Sequence, residues 1–524
     1  MTFDPRTSLE APAFGMPTRC GTGCGCGGSC GGGCSGGCGG GCGCGGSCGG
    51  GMADGGIPAL LPSPLADCAD RTWSACPGGL ASYAGDPAGD ALDRASTLAA
   101  SVRTMAITPL DDPEQPAHGV GSCLRVNLST FMGTSFRNLI IVVGSPAAGP
   151  NDPRPLLAFN SLQMFQSSEF GNGWTNAYKR KVTVIDSNDA NVITGTYATQ
   201  SFTSRDATTN YYLPPGESNN SLKQETSGWT ETQADGTAYR YTGSGALQYV
   251  KNPGGGRWTV SYSGSLINAI SDPFGGRTTF AYTASNKIKR IQDVAGRITS
   301  FTVDGNGNLT RMQAADGTRT TMVYDTQHHL LAWVNALGQR TTIGYGQGSS
   351  TNVSTVTLPG GEQTTYQGYT TVSRQAMIDA RGQRTTLIYD AGSNLKAVQD
   401  PLGNRTTYTF SSNRLQAVQD PLGNRTSVSY ATLSDRTQRV QAVTPPVGNR
   451  ATILYDTTNK RITAVQDALG NRTSLVWDSS GNRSAVINAL GQRTTYGYNA
   501  NGQVTAVTNA LGQVSTREIG RAHV

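Results

Sequence analysis

From residue 236 onward a glycine returns about every 21 residues, and this period restricts the fold more than any other feature of the chain. The recurring residues are Gly275, Gly296, Gly317, Gly338, Gly361, Gly382, Gly403, Gly423, Gly448, Gly470, Gly491 and Gly512, with Gly236 and Gly255 as weaker early members. Their surroundings repeat as well. Asp400-Pro401-Leu402-Gly403-Asn404-Arg405-Thr406 returns unchanged at Asp420 to Thr426, and Asn335 to Thr341, Asp379 to Thr385 and Asp467 to Thr473 are close variants. A unit this short cannot bury a core by itself, so it must stack on its neighbours.

Each unit holds a second turn, as in Tyr389-Asp390-Ala391-Gly392-Ser393-Asn394 and Trp477-Asp478-Ser479-Ser480-Gly481-Asn482. Both turns combine Gly with Asn or Asp, residues that tolerate positive φ in tight hairpins. Two strands of about six residues and two short turns add to about 21, so one period is one β-hairpin. The strand after each Gly-x-Arg alternates. Thr385, Leu387 and Tyr389 fall on one face, as do Thr278, Phe280 and Tyr282, or Thr473, Leu475 and Trp477. Residues i, i+2 and i+4 of a strand share a face, which predicts an aliphatic or aromatic rib and a tyrosine rib along one side of a long sheet. The fold class is therefore mostly β, an antiparallel β-hairpin repeat array over 231–517. A dozen or so hairpins predict an open, curved sheet rather than a sealed container.

Upstream the chain changes character. Of 68 glycines, 18 lie between residues 21 and 50, together with 8 of the 12 cysteines. Such a tract has little to bury against a large ordering entropy, so 1–51 is expected to be a disordered Cys/Gly-rich segment. Its C-x-C and C-x3-C spacings would suit a thiolate metal cluster, but no metal site is assigned. Residues 52–120 read as a linker with at most one short helix, near Ala88 to Met105. Residues 121–230 read as a β-rich domain leading into the repeats, with Leu139-Ile140-Ile141-Val142-Val143 as a buried strand. That run is far short of the ~18 apolar residues of a membrane span. The opening residues lack the basic and apolar regions of a secretory signal.

Charge and motifs narrow the function. The formal charge is +6, and no basic run exceeds Lys179-Arg180-Lys181; no stripe of the kind a nucleic-acid footprint needs is visible. No phosphate loop, nucleophile elbow or His/Cys metal set with catalytic spacing is present. We expect no enzyme activity, no cofactor, and no catalytic, cofactor-binding or metal-binding residues. His328 and His329 are expected in a solvated hairpin turn beside Asp325. Arg405 and Arg472 are expected to pair with Asp400 and Asp467 at their own turns. Asn404-Arg405-Thr406 and similar triplets are by-products of the repeat, not glycosylation signals.

These residues resemble the Rhs, or YD-repeat, family. The motif is Gly-x-Arg, four residues, then Tyr-Asp, as at Tyr324-Asp325, Tyr389-Asp390 and Tyr455-Asp456. Upstream, Phe170-Gly171-Asn172-Gly173-Trp174 and Tyr178 look like the segment that opens the family's repeat region. The resemblance implies a spiral antiparallel sheet that winds into a shell around a variable C-terminal effector or toxin. It implies a secreted or cell-surface bacterial protein, with an effector domain, secretion machinery or glycans as partners, no nucleic acid and no membrane span. The leading expectation is a structural scaffold that encapsulates or presents such an effector. The alternative is a carbohydrate-binding surface or adhesion protein using an exposed Tyr/Arg face. The family's shell-closing core and its Asp-containing self-cleavage motif are not found. Glu518-Ile519-Gly520-Arg521-Ala522-His523-Val524 breaks the repeat and matches the translation of a common sequencing-library adapter, so 518–524 is expected to be a non-native tail on a protein that continues.

Overall fold

The computed structural model describes residues 122–516, apart from 132–133, 144–155, 217, 234–235, 252–254, 347–349, 370–373, 449, 457, 459 and 501–503. The expectations for 1–51, 52–120 and 518–524 lie outside the described residues. The described chain is β throughout, with two single 3-10 turns. The lead domain has a four-stranded sheet of β1 (Ser122–Phe131), β2 (Thr134–Val143), β3 (Leu157–Asn160) and β4 (Trp174–Asn176), in sequence order. A three-stranded sheet follows, made of β5 (Lys181–Val184), β6 (Ala190–Ile193) and β7 (Thr199–Phe202). The run from Leu139 to Val143 is the buried half of β2, as its composition predicts.

All remaining strands form one antiparallel sheet of 29, from β8 (Ser221–Glu225) to β36 (Val514–Thr516). Residue pairing runs between strands adjacent in sequence, so the ladder has the expected open-array register. The outline is tighter than an open curve, however: the sheet curls into a barrel. A Cβ placed on Gly255 in an early corner would lie 3.7 Å from the Ala500 carbonyl oxygen, in a turn some 245 residues further along.

The hairpin from Arg384 to Gln399 shows why this sequence makes this sheet. Thr385, Leu387 and Tyr389 are buried, and Arg384 is exposed. Each large side chain so buried contributes roughly 1.5–3 kcal/mol. A β-bulge then shifts the register, so that Ile388 faces Ala397 but Tyr389 faces Leu395. The same shift precedes Tyr282, Tyr345, Tyr430, Tyr455 and Tyr498. The bulge frees the ring to lean across the sheet. The Tyr282 hydroxyl donates to the Ile267 carbonyl at 2.8 Å, Tyr430 to Leu415 at 2.7 Å, Tyr455 to Val440 at 2.7 Å and Tyr498 to Arg483 at 2.9 Å. Each acceptor lies 15 residues back, opposite the rib residue of the preceding hairpin. Where Trp477 replaces the tyrosine, its indole N–H makes the bond, to Ile462 at 2.7 Å. Burial pushes the Tyr282 and Tyr498 hydroxyls up, Tyr498 to about 12, so these two remain donors across the ordinary pH range.

The glycine corner is closed by side chains. The Asp400 carboxylate accepts from the amides of Leu402 and Asn404 at 2.9 and 2.8 Å and from the Asn404 side-chain amide at 2.8 Å. Asp420–Asn424 and Asp467–Asn471 repeat this clamp, and Asn335–Gln339, Asn488–Gln492 and Asn509–Gln513 make a neutral version. The expected Arg405–Asp400 and Arg472–Asp467 pairs are thus corrected. The carboxylate is turned inward over the corner and meets the residue before the arginine, while Arg405 and Arg472 open the next strand on its exposed side. Arg297, which stands in the Asn404 position, does pair with its aspartate, Asp293, at 2.7 Å.

Two outcomes test the corners. Gly382 has φ +77 with nothing within 4 Å of an added Cβ, so Gly382→Ala should cost only the left-handed backbone penalty, about 1 kcal/mol in chemical denaturation. Hydrogen bonds from Asn404, Asn424 and Asn471 hold the Asp400, Asp420 and Asp467 carboxyls below the usual aspartate range. A depressed folded pKa gives stability that is present above the unfolded value, about 3.9, and is lost as pH falls through the folded one. The triple variant D400N/D420N/D467N, which removes the charge, should be less stable than the parent at pH 7. It should lose less thermal stability than the parent between pH 5 and pH 2.

Candidate functional site: the capped rim

Because every period returns the chain to the same edge, the glycine corners all lie on one rim and the Tyr-Asp turns on the other. The lead domain sits against the second rim. Val182 N–H bonds Gly245 O at 2.9 Å, Lys179 reaches Ser265 O at 2.9 Å, and Ile288 N–H bonds Glu169 O at 2.8 Å. Asn172 holds the next turn through Gly307 O at 2.8 Å and Asn306 O at 2.9 Å. Arg137 takes Asn352 and Val353 at 2.7 and 3.1 Å, and Ser161 bonds Thr351 O at 3.0 Å. Across the mouth, Arg414 donates to Ser218 O at 3.0 Å, Arg436 to Ser204 O, and Lys460 to the Tyr211 hydroxyl at 2.8 Å. One domain thereby touches turns from Gly245 to Lys460.

Apolar contact backs these bonds. Phe159, Phe170 and Trp174 share one core cluster with Leu309, Leu330 and Trp333 of the array. Trp174 stacks on Trp333 at 6.4 Å, and its indole N–H donates to the Tyr324 hydroxyl at 2.9 Å. Phe170 to Tyr178, noted in the sequence as the segment leading into the repeats, is therefore the wedge that fills the mouth.

The strongest polar anchor is buried where the domain meets the first strands. Arg180 forms a two-pronged bond to Glu231 at 2.8 and 3.0 Å, Tyr241 donates to the same carboxylate at 2.6 Å, and Asn220 donates at 2.7 Å. The Arg180 guanidinium also lies 4.5 Å from the Tyr239 ring centroid. Burial and the Glu231 charge push the Tyr241 hydroxyl well up. The basic run Lys179-Arg180-Lys181 is consequently no surface patch: Lys179 pairs with Glu169 at 2.7 Å and Arg180 with Glu231. Its spacing gave no hint of these partners, because Glu231 lies 51 residues away.

The histidines also differ from expectation. They occupy the predicted turn beside Asp325, but His329 is only 3% exposed. Its ring bonds Asp325 at 2.8 Å and Ser350 O at 3.1 Å, and lies 4.6 Å from the Tyr345 ring. His328 sits between Asn308 at 2.9 Å and Asn172 at 3.1 Å. Only part of the turn is solvated: Thr326 and Gln327 are exposed, whereas His328 is half-buried and His329 buried. Among the described residues, no three His, Cys, Asp or Glu side chains gather as a metal site would require. No helix there is long and apolar enough to cross a membrane. The tyrosines proposed for an exposed sugar-binding face are turned inward, and their hydroxyls are spent on the neighbouring hairpin.

A family model described as RHS Repeat matches residues 477–514. That match covers one hairpin unit and its flanks near the end of the array. The chain is similar to a crystal structure of TcdB2-TccC3-TEV, at 11% identity and TM-score 0.33, covering 71% of this chain and 24% of that one. It is also similar to the Photorhabdus luminescens Tc holotoxin pore, at 12% identity and TM-score 0.32, covering 80% and 25%. A porin-like protein from Bacteroides uniformis overlaps 58% of this chain and 93% of its own, at 11% identity and TM-score 0.13. The chain spans about a quarter of the length of the Tc chains it matches. No curated relative matches it.

The Arg180–Glu231 anchor has a direct test. Glu231→Gln should destabilise the protein by about 3 kcal/mol or more in denaturant unfolding, because it strands a buried guanidinium. The double replacement R180M/E231L should restore most of that loss.

Proposed function

We propose that this RHS array is a structural wall that encloses or presents a polypeptide effector, in a secreted or surface-associated bacterial protein. The observation that carries the reading is the one-sided closure. A wall of stacked hairpins has its Tyr-Asp turns engaged by its own lead domain from Gly245 to Lys460, while the glycine corners stand at the opposite strand ends. A wall capped at one end can hold a chain that enters from the other. The site contributes rigidity and exclusion rather than bond chemistry: the residues that meet at the rim are spent on one another. The carbohydrate-binding alternative is not favoured by any contact, since its tyrosines face the core.

The test is protection in cis. A small protease-sensitive reporter fused after residue 517 should be cleaved at least tenfold more slowly than the free reporter. Loosening the cap with Trp174→Ala should remove the protection. Equal cleavage of the fused and free reporter would overturn the reading.

A further inference from the structure

The outer face of the sheet departs from the repeat in one place. In each hairpin a residue of the return strand faces the second Thr or Ser of the strand that follows, as Ala397 faces Thr407. Along the array from Ala269 to Ala506 this residue is Ala in nine of twelve pairs and Thr355 in one. In two successive hairpins it is Arg290 and Arg311. Both are exposed, as are Lys289 beside Arg290 and the strand-opening Arg319 and Arg340. Among the described residues, no ion pair or hydrogen bond engages these five side chains. The six consecutive strands from Ile288–Gln292 to Arg340–Tyr345 hold no Asp or Glu.

Register fixes where the cations stand. Arg290, Ser300, Gln313 and Arg319 lie in one row across four strands, and Thr302, Arg311, Thr321, Val334 and Arg340 lie in the next. Strands lie about 4.8 Å apart, and alternate residues of a strand about 7 Å apart. The two arginines of each row are therefore about 14 Å apart at the backbone, and the rows are about 7 Å apart. Together the four arginines zigzag across the strands over about 24 Å. No basic run marks this line in the chain, because its arginines are 21, 8 and 21 residues apart.

Unbalanced like charges on one face repel one another and attract an anion. We propose that Arg290, Arg311, Arg319 and Arg340 form a docking strip for an extended acidic segment of a partner polypeptide, laid across the strands on the outer face. The strip is two rows deep. Aspartates stand beyond it at both strand ends, Asp293 and Asp316 in the corners and Asp304 and Asp325 in the other turns. That width admits one extended chain, whereas an anionic bilayer would meet the aspartates as well. Single-stranded nucleic acid binds by stacking its bases on aromatic rings, but Phe301, Tyr324, Trp333 and Tyr345 of these strands all pack into the core. Carboxylates need no ring, and their bonds to guanidinium are charge-assisted. The assignment does not depend on enclosure, because the strip lies on the face opposite the core.

The test titrates the full chain with fluorescein-labelled octaglutamate, about 27 Å long when extended, and reads anisotropy at low salt. Binding should saturate and weaken as salt rises, and octalysine should not bind. R290A/R311A installs the residue of the other hairpins, so it should keep the parent's melting temperature and weaken octaglutamate at least tenfold. R319A/R340A should weaken it comparably. R472A/R493A removes the same charge elsewhere on the same face and should change affinity less than twofold. Undiminished binding by R290A/R311A, an equal loss in R472A/R493A, or tighter binding of decathymidylate or phosphatidylglycerol vesicles than of octaglutamate would each overturn the assignment.

Discussion

The structure depends on the bond from a rib tyrosine to a carbonyl one hairpin back. Ladder hydrogen bonds join neighbouring strands in any sheet and do not distinguish one turn of a repeat from the next. The Tyr455–Val440 and Tyr430–Leu415 bonds mark the repeat, because each adds a side-chain tie between the last strand of one hairpin and the first strand of the next. The bulge is what permits it: with one extra residue on the partner strand, the tyrosine drops out of the regular pleat and its ring lies along the core face. Each bond contributes only about 1 kcal/mol net, but it recurs along the array, from Tyr262 and Tyr282 to Tyr498. Over 29 strands the sheet winds far enough to bring Gly255 to Ala500.

Much of this was legible in the chain because it is local. Alternation placed Leu387 and Tyr389 on the core face, and Gly with Asn or Asp placed both turns. The corner clamp was half legible. An Asp followed four residues later by a polar residue is plain in the sequence, but Asn404 and Arg405 are adjacent, and formal charge favours the arginine. Geometry favours Asn404, since Asp400 already receives its backbone amide and the side-chain amide lies beside it. The bulge could not be read, because a one-residue shift leaves no mark on composition.

The lead domain was the least legible part, for a different reason. It has no period, and its contacts reach 51 residues from Arg180 to Glu231, 156 from Asn172 to His328 and 249 from Tyr211 to Lys460. Sequence spacing carries no trace of pairs formed only after the sheet has curled. The histidines show the effect. In an isolated hairpin turn His328 and His329 would be wet; in the array His329 is buried against Asp325, Tyr345 and Ser350 of its own and the next hairpin, and the lead domain adds Asn172 to His328.

The two rims then diverge although they are built from the same hairpins. One period contains two turns of different chemistry, and closing the chain every 21 residues sorts them to opposite edges. The Tyr-Asp turns present Asn306, His328, Asn352 and Arg436, whose donors and acceptors the lead domain meets one by one. The corners present Leu402, Leu422, Leu469, Leu490 and Leu511, which stand 83–87% exposed because the corner's own polar groups are already used by the Asp–Asn or Asn–Gln clamp. A domain whose edge is rich in Asn, Ser and backbone carbonyls can satisfy itself only on the first rim. The end of the barrel that is capped follows from which residues a single repeat leaves unpaired, copied around the ring.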